Sequence, residues 1–335
     1  MGDVRLACVA PAFRFEIILA LRLLISDQNE NMEIVRANQR EFVDRWYDSF
    51  APVRGTIDTA MRPGSYMLCQ ALLPAGDSLM GVQACLRDFL EKGRFDAVDI
   101  EPAQMAKWQD AAAALGEVLP DFHEQCFREE WQRWEPVLAE AGYRIREVLD
   151  GSDVFAFVEE FTGRDYGALD ASLHPSEFVR PSAFVLHRGS RMAIVGQHQV
   201  DEIWQLAAVV HESGHRLFRI PDWHATGSLT AEDMEWVESL LPPDWQDTGY
   251  SEIRHYFEET FLEALAFSVV GHLLPDQRER VRERAMGNFR DRQLVLGPGL
   301  YEATETEYDP EAFRRYDDFV ASLVRSRKLS VAPES

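Results

Sequence analysis

Cysteine is scarce in this chain of 335 residues: Cys8, Cys69, Cys85 and Cys126 stand far apart and form no CxxC pair. That spacing excludes a dense disulfide framework and a structural zinc knuckle, and it fits reduced, mostly buried thiols. Basic side chains are also in deficit, 34 against 57 acidic ones, which gives a formal net charge of −23. A field of that sign repels nucleic acid and anionic lipid surfaces, so neither is expected as a partner. Long hydrophobic runs are missing too. The apolar stretch from Val4 to Ile25 is broken by Arg5, Arg14, Glu16 and Arg22. Its longest uncharged run, Leu6 to Phe13, contains Pro11 and falls far short of the roughly 20 residues that span a bilayer. It reads as part of the fold of a cytoplasmic protein. No internal repeat, low-complexity tract or heptad run occurs.

Hydrophobic residues make up 46% of the chain, ample for one large core or two smaller ones. The fold class expected is mainly α (α+β), with a helical N-terminal region over 1–170 and a catalytic region over 171–330. Amphipathic periodicity predicts helices at Met32 to Phe50, Asp77 to Lys92, Gln104 to Leu119 and Asp121 to Leu149. Pro136 is expected to kink or divide the last of these. A turn-rich patch, Thr162 to Pro181, holds Gly163, Gly167 and Pro175 and marks the boundary. Two strands follow, Ala183 to His187 and Arg191 to Val195, joined by a tight Arg188-Gly189-Ser190 step. Helices resume at Asp201 to Arg219, Thr230 to Leu241, Ser251 to Leu274, Asp276 to Gln293 and Pro310 to Arg327.

Chemistry concentrates in Val209-Val210-His211-Glu212-Ser213-Gly214-His215, an HExxH sequence. On a helix, residues four apart project from one face on successive turns, so His211 and His215 can share one metal ion. Glu212, offset by one position, is too far round to be an equal ligand but suits a general base acting on water. The context supports a helix: Asp201 caps its start, and Ile203, Leu206, Ala207, Val210 and Gly214 form an apolar face. Gly214 costs about 1 kcal/mol relative to alanine, which implies close approach of another backbone there.

A catalytic zinc takes three protein ligands and leaves the fourth position to water. The metzincin continuation HExxHxxGxxH is closed, because Phe218 and Pro221 stand where its glycine and third histidine would be. A carboxylate on a later helix is the other source, and the segment Tyr256-Phe257-Glu258-Glu259-Thr260-Phe261-Leu262-Glu263-Ala264-Leu265-Ala266 offers it. Over residues 183 to 275 the chain resembles the gluzincins, zinc peptidases with HExxH on one helix and a glutamate ligand on a later one. The resemblance implies a zincin-like catalytic half and Zn2+ as cofactor. It also implies that Glu259 is the third ligand, with Glu263 one turn on accepting a zinc histidine's free N–H. In the competing register Glu263 is the ligand, followed at three residues by the small Ala266. Glu258 and Glu252 read as solvated carboxylates.

By residue type, Tyr250, His255, Tyr256, His224 and Tyr301 are candidates for the donor that stabilises a developing oxyanion, and His255 and Tyr256 lie on the Glu259 helix. The strand pair at Ala183 to Val195 offers either an edge for an extended peptide or a structural hairpin. Gly297-Pro298-Gly299-Leu300-Tyr301 reads as a loop able to form part of a lid. The function expected is zinc-dependent hydrolysis of a peptide or amide bond. Two alternatives share the ligand set: a non-haem iron oxygenase with a two-histidine, one-carboxylate site, and a non-catalytic metal-binding module.

Overall fold

The computed structural model describes residues 5–24, 37–95, 98–149, 153–167, 169–179, 183–188, 190–198, 201–218, 229–248, 250 and 252–330. These residues are mainly helical, with one small mixed sheet. The chain forms two compact units, each assembled from separated segments: Ala7–Glu147 with Asp170–Val200, and Val148–Leu169 with Asp201–Ser335 and Met1–Leu6. The division expected near residue 170 is therefore displaced. The strands, expected with the catalytic half, belong with the N-terminal helices, and residues 148–169 belong with the C-terminal ones.

The first unit carries β1 (Arg5–Val9), α1 (Phe13–Leu23), α2 (Ala37–Trp46), α3 (Arg54–Met61), α4 (Ser65–Ala71), α5 (Leu79–Lys92), α6 (Met105–Phe122) and α7 (Arg128–Leu149). Its strands are completed by β2 (Asp170–Ser176), β3 (Ala183–Arg188) and β4 (Arg191–Gln197). The sheet order is β1-β2-β4-β3, with β2 parallel and β3 antiparallel to β4. Phe178, Val179, Leu186, Ala193 and Val195 join the same core as Phe15, Ile17 and Ile18 of α1, which is why the sheet groups with these helices. Apolar except for Arg14, Glu16 and Arg22, α1 is buried on nearly every side. The turn-rich reading of 162–181 missed β2, because Pro175 argues against an interior strand; it sits opposite Gly196 of β4. Pro136 does not divide α7; the α-helical pattern is interrupted earlier, by a π-turn at His123–Phe127.

The second unit carries α8 (Val154–Thr162), α9 (Glu202–Leu217), α10 (Ala231–Ser239), α11 (Ile253–Leu273), α12 (Arg278–Asp291), α13 (Gly297–Glu307) and α14 (Tyr316–Arg325). Asp201 caps α9, its carboxylate accepting the Trp204 N–H at 3.0 Å, and Thr230 caps α10 in a reciprocal pair with Asp233. Helix α11 is the centre of the unit. From Tyr256 to Gly271 it is buried nearly all round, and α9, α12 and α13 pack against it.

The segment expected as a lid loop is instead the first turn of α13. A Cβ on Gly297 would meet the Phe289 ring at 2.4 Å and one on Gly299 the Ser330 carbonyl at 2.2 Å. Both glycines serve close packing rather than motion.

Candidate metal centre

Helices α9 and α11 pack antiparallel, and at Gly214 they leave no room for a side chain. A Cβ there would lie 2.7 Å from Leu262 Cδ2. The close neighbour expected at Gly214 is thus a buried side chain, not a backbone. On the far side of α9, Ser213 is fixed by the Tyr166 hydroxyl at 2.7 Å, which holds the helix in rotation.

This contact sets four residues of α11, namely Glu258, Glu259, Leu262 and Glu263, against the HExxH turn. The Nε2 atoms of His211 and His215 lie 3.2 Å apart. Glu259 divides its oxygens between them, Oε1 at 3.4 Å from His215 Nε2 and Oε2 at 3.6 Å from His211 Nε2. Among the described residues these three form the group able to hold a metal ion. Bonds of about 2.0–2.2 Å in tetrahedral geometry require donor separations of about 3.3–3.5 Å, so the triangle has the size of a single-ion site.

The outer nitrogens meet carboxylates. His215 Nδ1 is 3.3 Å from Glu258 Oε1, and His211 Nδ1 is 3.7 Å from Glu263 Oε1. His211 Nδ1 is a buried atom without a hydrogen-bond partner, and it faces Glu263 across a gap slightly too long for a bond. Expected as a solvated carboxylate, Glu258 is instead mostly buried, 16% exposed, against His215. The facing stripe of α11 is wider than one residue per turn: Glu258 lies one turn before Leu262, as Glu259 lies one turn before Glu263, and both rows face α9.

Arg292, at the end of α12, completes the cluster. Its Nη2 donates to Glu259 Oε2 at 2.8 Å and to the Tyr250 hydroxyl at 2.6 Å, while Nη1 donates to Glu263 Oε1. Tyr250 in turn donates to Glu259 Oε2 at 3.3 Å.

Charge follows this packing. Burial presses His211 down to about 3, which keeps the imidazole neutral, as a metal ligand must be. Burial also lowers His215, but hydrogen bonds to Glu258 and Glu259 outweigh it and carry the group up to about 10. Glu259 is raised by burial and lowered more strongly by His215, His211 and Arg292, so it remains ionised. Burial raises Glu212 to about 7.

The remaining candidates lie elsewhere. Tyr256 is fully buried, and its hydroxyl donates to the Gln293 carbonyl at 2.9 Å and accepts from the Val295 N–H at 2.8 Å, so it braces a turn instead of facing the donors. His255 is exposed and Tyr301 is buried in α13. Glu252 is exposed at the start of α11, as expected, and His224 lies outside the described residues. Among the described residues, Tyr250 is the donor candidate brought to the cluster. Sequence reasoning missed Arg292, which no motif marks, and it misplaced Glu258.

Comparison with protein-family models, with curated proteins and with solved structures gave no match.

Proposed function

We propose that the protein is a metal-dependent hydrolase, with zinc as the preferred ion, that cleaves a peptide or amide bond in the manner of the gluzincins it resembles. The observation that carries this reading is the His211, His215 and Glu259 triangle, with the mostly buried carboxylate of Glu212 adjoining it in the same helical turn. These three residues would hold the ion. When bound, a dication there supplies a Lewis acid for the scissile carbonyl and makes water acidic enough to deprotonate near neutrality.

The chain's own groups do the rest. Glu212 takes a proton from water as the water oxygen adds to the carbonyl carbon, then delivers that proton to the amine nitrogen as the C–N bond breaks. Glu258 accepts the Nδ1–H of His215, and Glu263 fixes the orientation of His211, so both rings present Nε2 inward. Tyr250, donating beside Glu259, is a neutral donor at the cluster and suits the developing oxyanion. An iron oxygenase would use the same three ligands but leave Glu212 without a task, which favours hydrolysis. Nucleic acid and anionic membrane surfaces remain poor partners for a chain of net charge −23. No helix among the described residues is long and apolar enough to cross a membrane.

The test is a mixture of unstructured peptides incubated with zinc-loaded protein and read by mass spectrometry. New cleavage products that vanish with a chelator and in Glu212→Gln support the reading. Products that persist in both controls, or oxygen-dependent hydroxylation in place of cleavage, contradict it.

A further inference from the structure

The two glutamates that compete for the ligand role are joined by one cation. Arg292 spends Nη1 on Glu263 and Nη2 on Glu259, so the fixed spacing of the guanidinium fork sets the distance between the two carboxylates. The effect on each glutamate differs. Glu263, only 7% exposed, is held by Arg292 on the outer side of His211, opposite Nδ1. Glu259 is gripped through Oε2 by Arg292 and Tyr250 together, while Oε1 faces His215 Nε2 without a second partner of that kind.

A second observation places Arg292 deliberately. The residue after it, Gln293, has φ of 55°, left-handed for a residue that is not glycine. Such a conformation is unfavourable for a residue with a side chain and persists only where surrounding contacts impose it. Those contacts are present. Tyr256 accepts from Val295 and donates to the Gln293 carbonyl, and the Leu294 N–H closes on the Phe289 carbonyl at 2.7 Å. A buried phenol on α11, the helix that supplies the carboxylates, thus anchors the strained turn that supplies the arginine.

We propose that Arg292 is the positioning residue that selects Glu259 over Glu263 as the metal ligand. By clamping Glu263 outside the triangle and orienting Glu259 into it, the fork decides which carboxylate faces the two Nε2 atoms. The inference rests on the metal reading above. It also reverses the simple electrostatic expectation, in which removing a cation 2.8 Å from a ligand oxygen would tighten binding of another cation.

Cobalt(II) is the probe, because its visible absorption reports coordination geometry and its affinity is measured by competition with a chromophoric chelator. The full chain is compared with Arg292→Lys, Arg292→Gln and Tyr250→Phe, each checked for folding by its thermal transition. Expected are at least tenfold weaker binding and an altered cobalt spectrum in both arginine variants, with no rescue by lysine, which retains the charge but lacks the fork. Tyr250→Phe, the mildest change, is expected to weaken binding by a few fold and serves if the arginine variants do not fold. Equal or tighter binding with an unchanged spectrum in the variants overturns this inference alone. An unaltered chain that takes up no cobalt overturns the metal reading itself, and the inference with it.

Discussion

His211 and His215 point their Nε2 atoms at one another across 3.2 Å, and each turns its Nδ1 toward a carboxylate of the neighbouring helix. At that separation one Nε2 can donate a hydrogen to the other, or both can bind a single cation. Without an ion, the hydrogen bonds to Glu258 and Glu259 favour the protonated form of His215. Glu258 and Glu263 stand behind the rings and Glu259 between them, and this separates inner from outer glutamates experimentally.

Removing an inner carboxylate should differ from removing an outer one. Glu259→Ala takes away a donor of the triangle and is expected to abolish stoichiometric metal binding. Glu258→Ala leaves three donors and should weaken binding by about 10–100-fold, the usual cost of losing a group that orients a ligand. Isothermal titration with zinc checks both. Equal losses in the two variants would remove the distinction drawn between these adjacent residues.

Glu212→Gln keeps the shape of the side chain but removes its capacity to carry a proton. Metal content should be nearly unchanged and turnover should fall by about 10²-fold or more. The readout is elemental analysis alongside peptide cleavage, and full activity in this variant would contradict the assigned role.

Gly214→Ala tests the helix contact on which the site depends. Alanine gains about 1 kcal/mol of helix propensity, but its Cβ meets Leu262 at 2.7 Å in a fully buried environment. Overpacking of this kind costs about 1–3 kcal/mol. A net loss of stability by thermal melting is expected, with weaker metal binding as α9 and α11 are pushed apart. A stabilised variant with unchanged metal affinity would show that Leu262 moves aside freely.

In the first unit, Glu16 of α1 is buried, accepts the Glu177 N–H at 3.1 Å and is raised by desolvation to about 8. The unfolded chain releases this proton near its ordinary value of 4.5, whereas the fold retains it. Stability should therefore fall as pH rises from about 4.5 to about 8 and level off above. Glu16→Gln, neutral throughout and still able to accept the hydrogen bond, should flatten that slope. At pH 8 it should be the more stable form by on the order of a few kcal/mol. Denaturant titrations of both proteins across that range are the check, and parallel slopes would contradict the burial argument.

The legibility of the molecule in its sequence followed the range of the forces involved. Helix α9 was readable to within two residues at either end, because Asp201 as cap and the apolar face at Ile203, Leu206 and Val210 are local signals. The strand pair β3 and β4 was readable for the same reason. Strand β2 was not, since Pro175 speaks locally for a turn and only pairing with distant β4 makes it a strand. Gly297 and Gly299 misled in the same way, resembling a loop until Phe289 and Ser330 are seen against them.

At the site, His211, Glu212 and His215 stand out as a five-residue motif, and Glu259 and Glu263 through the gluzincin resemblance, which left open which of the two faces the histidines. What stayed hidden depended on how the helices cross. Glu258 reaches His215 because α11 presents two adjacent rows to α9. Arg292 arrives from the end of a third helix, 29 residues after Glu263, with no motif to announce it.

The most direct test of the metal centre is the zinc and iron content of protein purified without added metal, for the unaltered chain, His211→Ala and Glu259→Ala. About one zinc per unaltered chain, lost in both variants, is the result expected of the donor triangle. No bound metal in the unaltered chain, even after reconstitution with zinc, would contradict it and leave the HExxH turn as two histidines packed against a row of carboxylates.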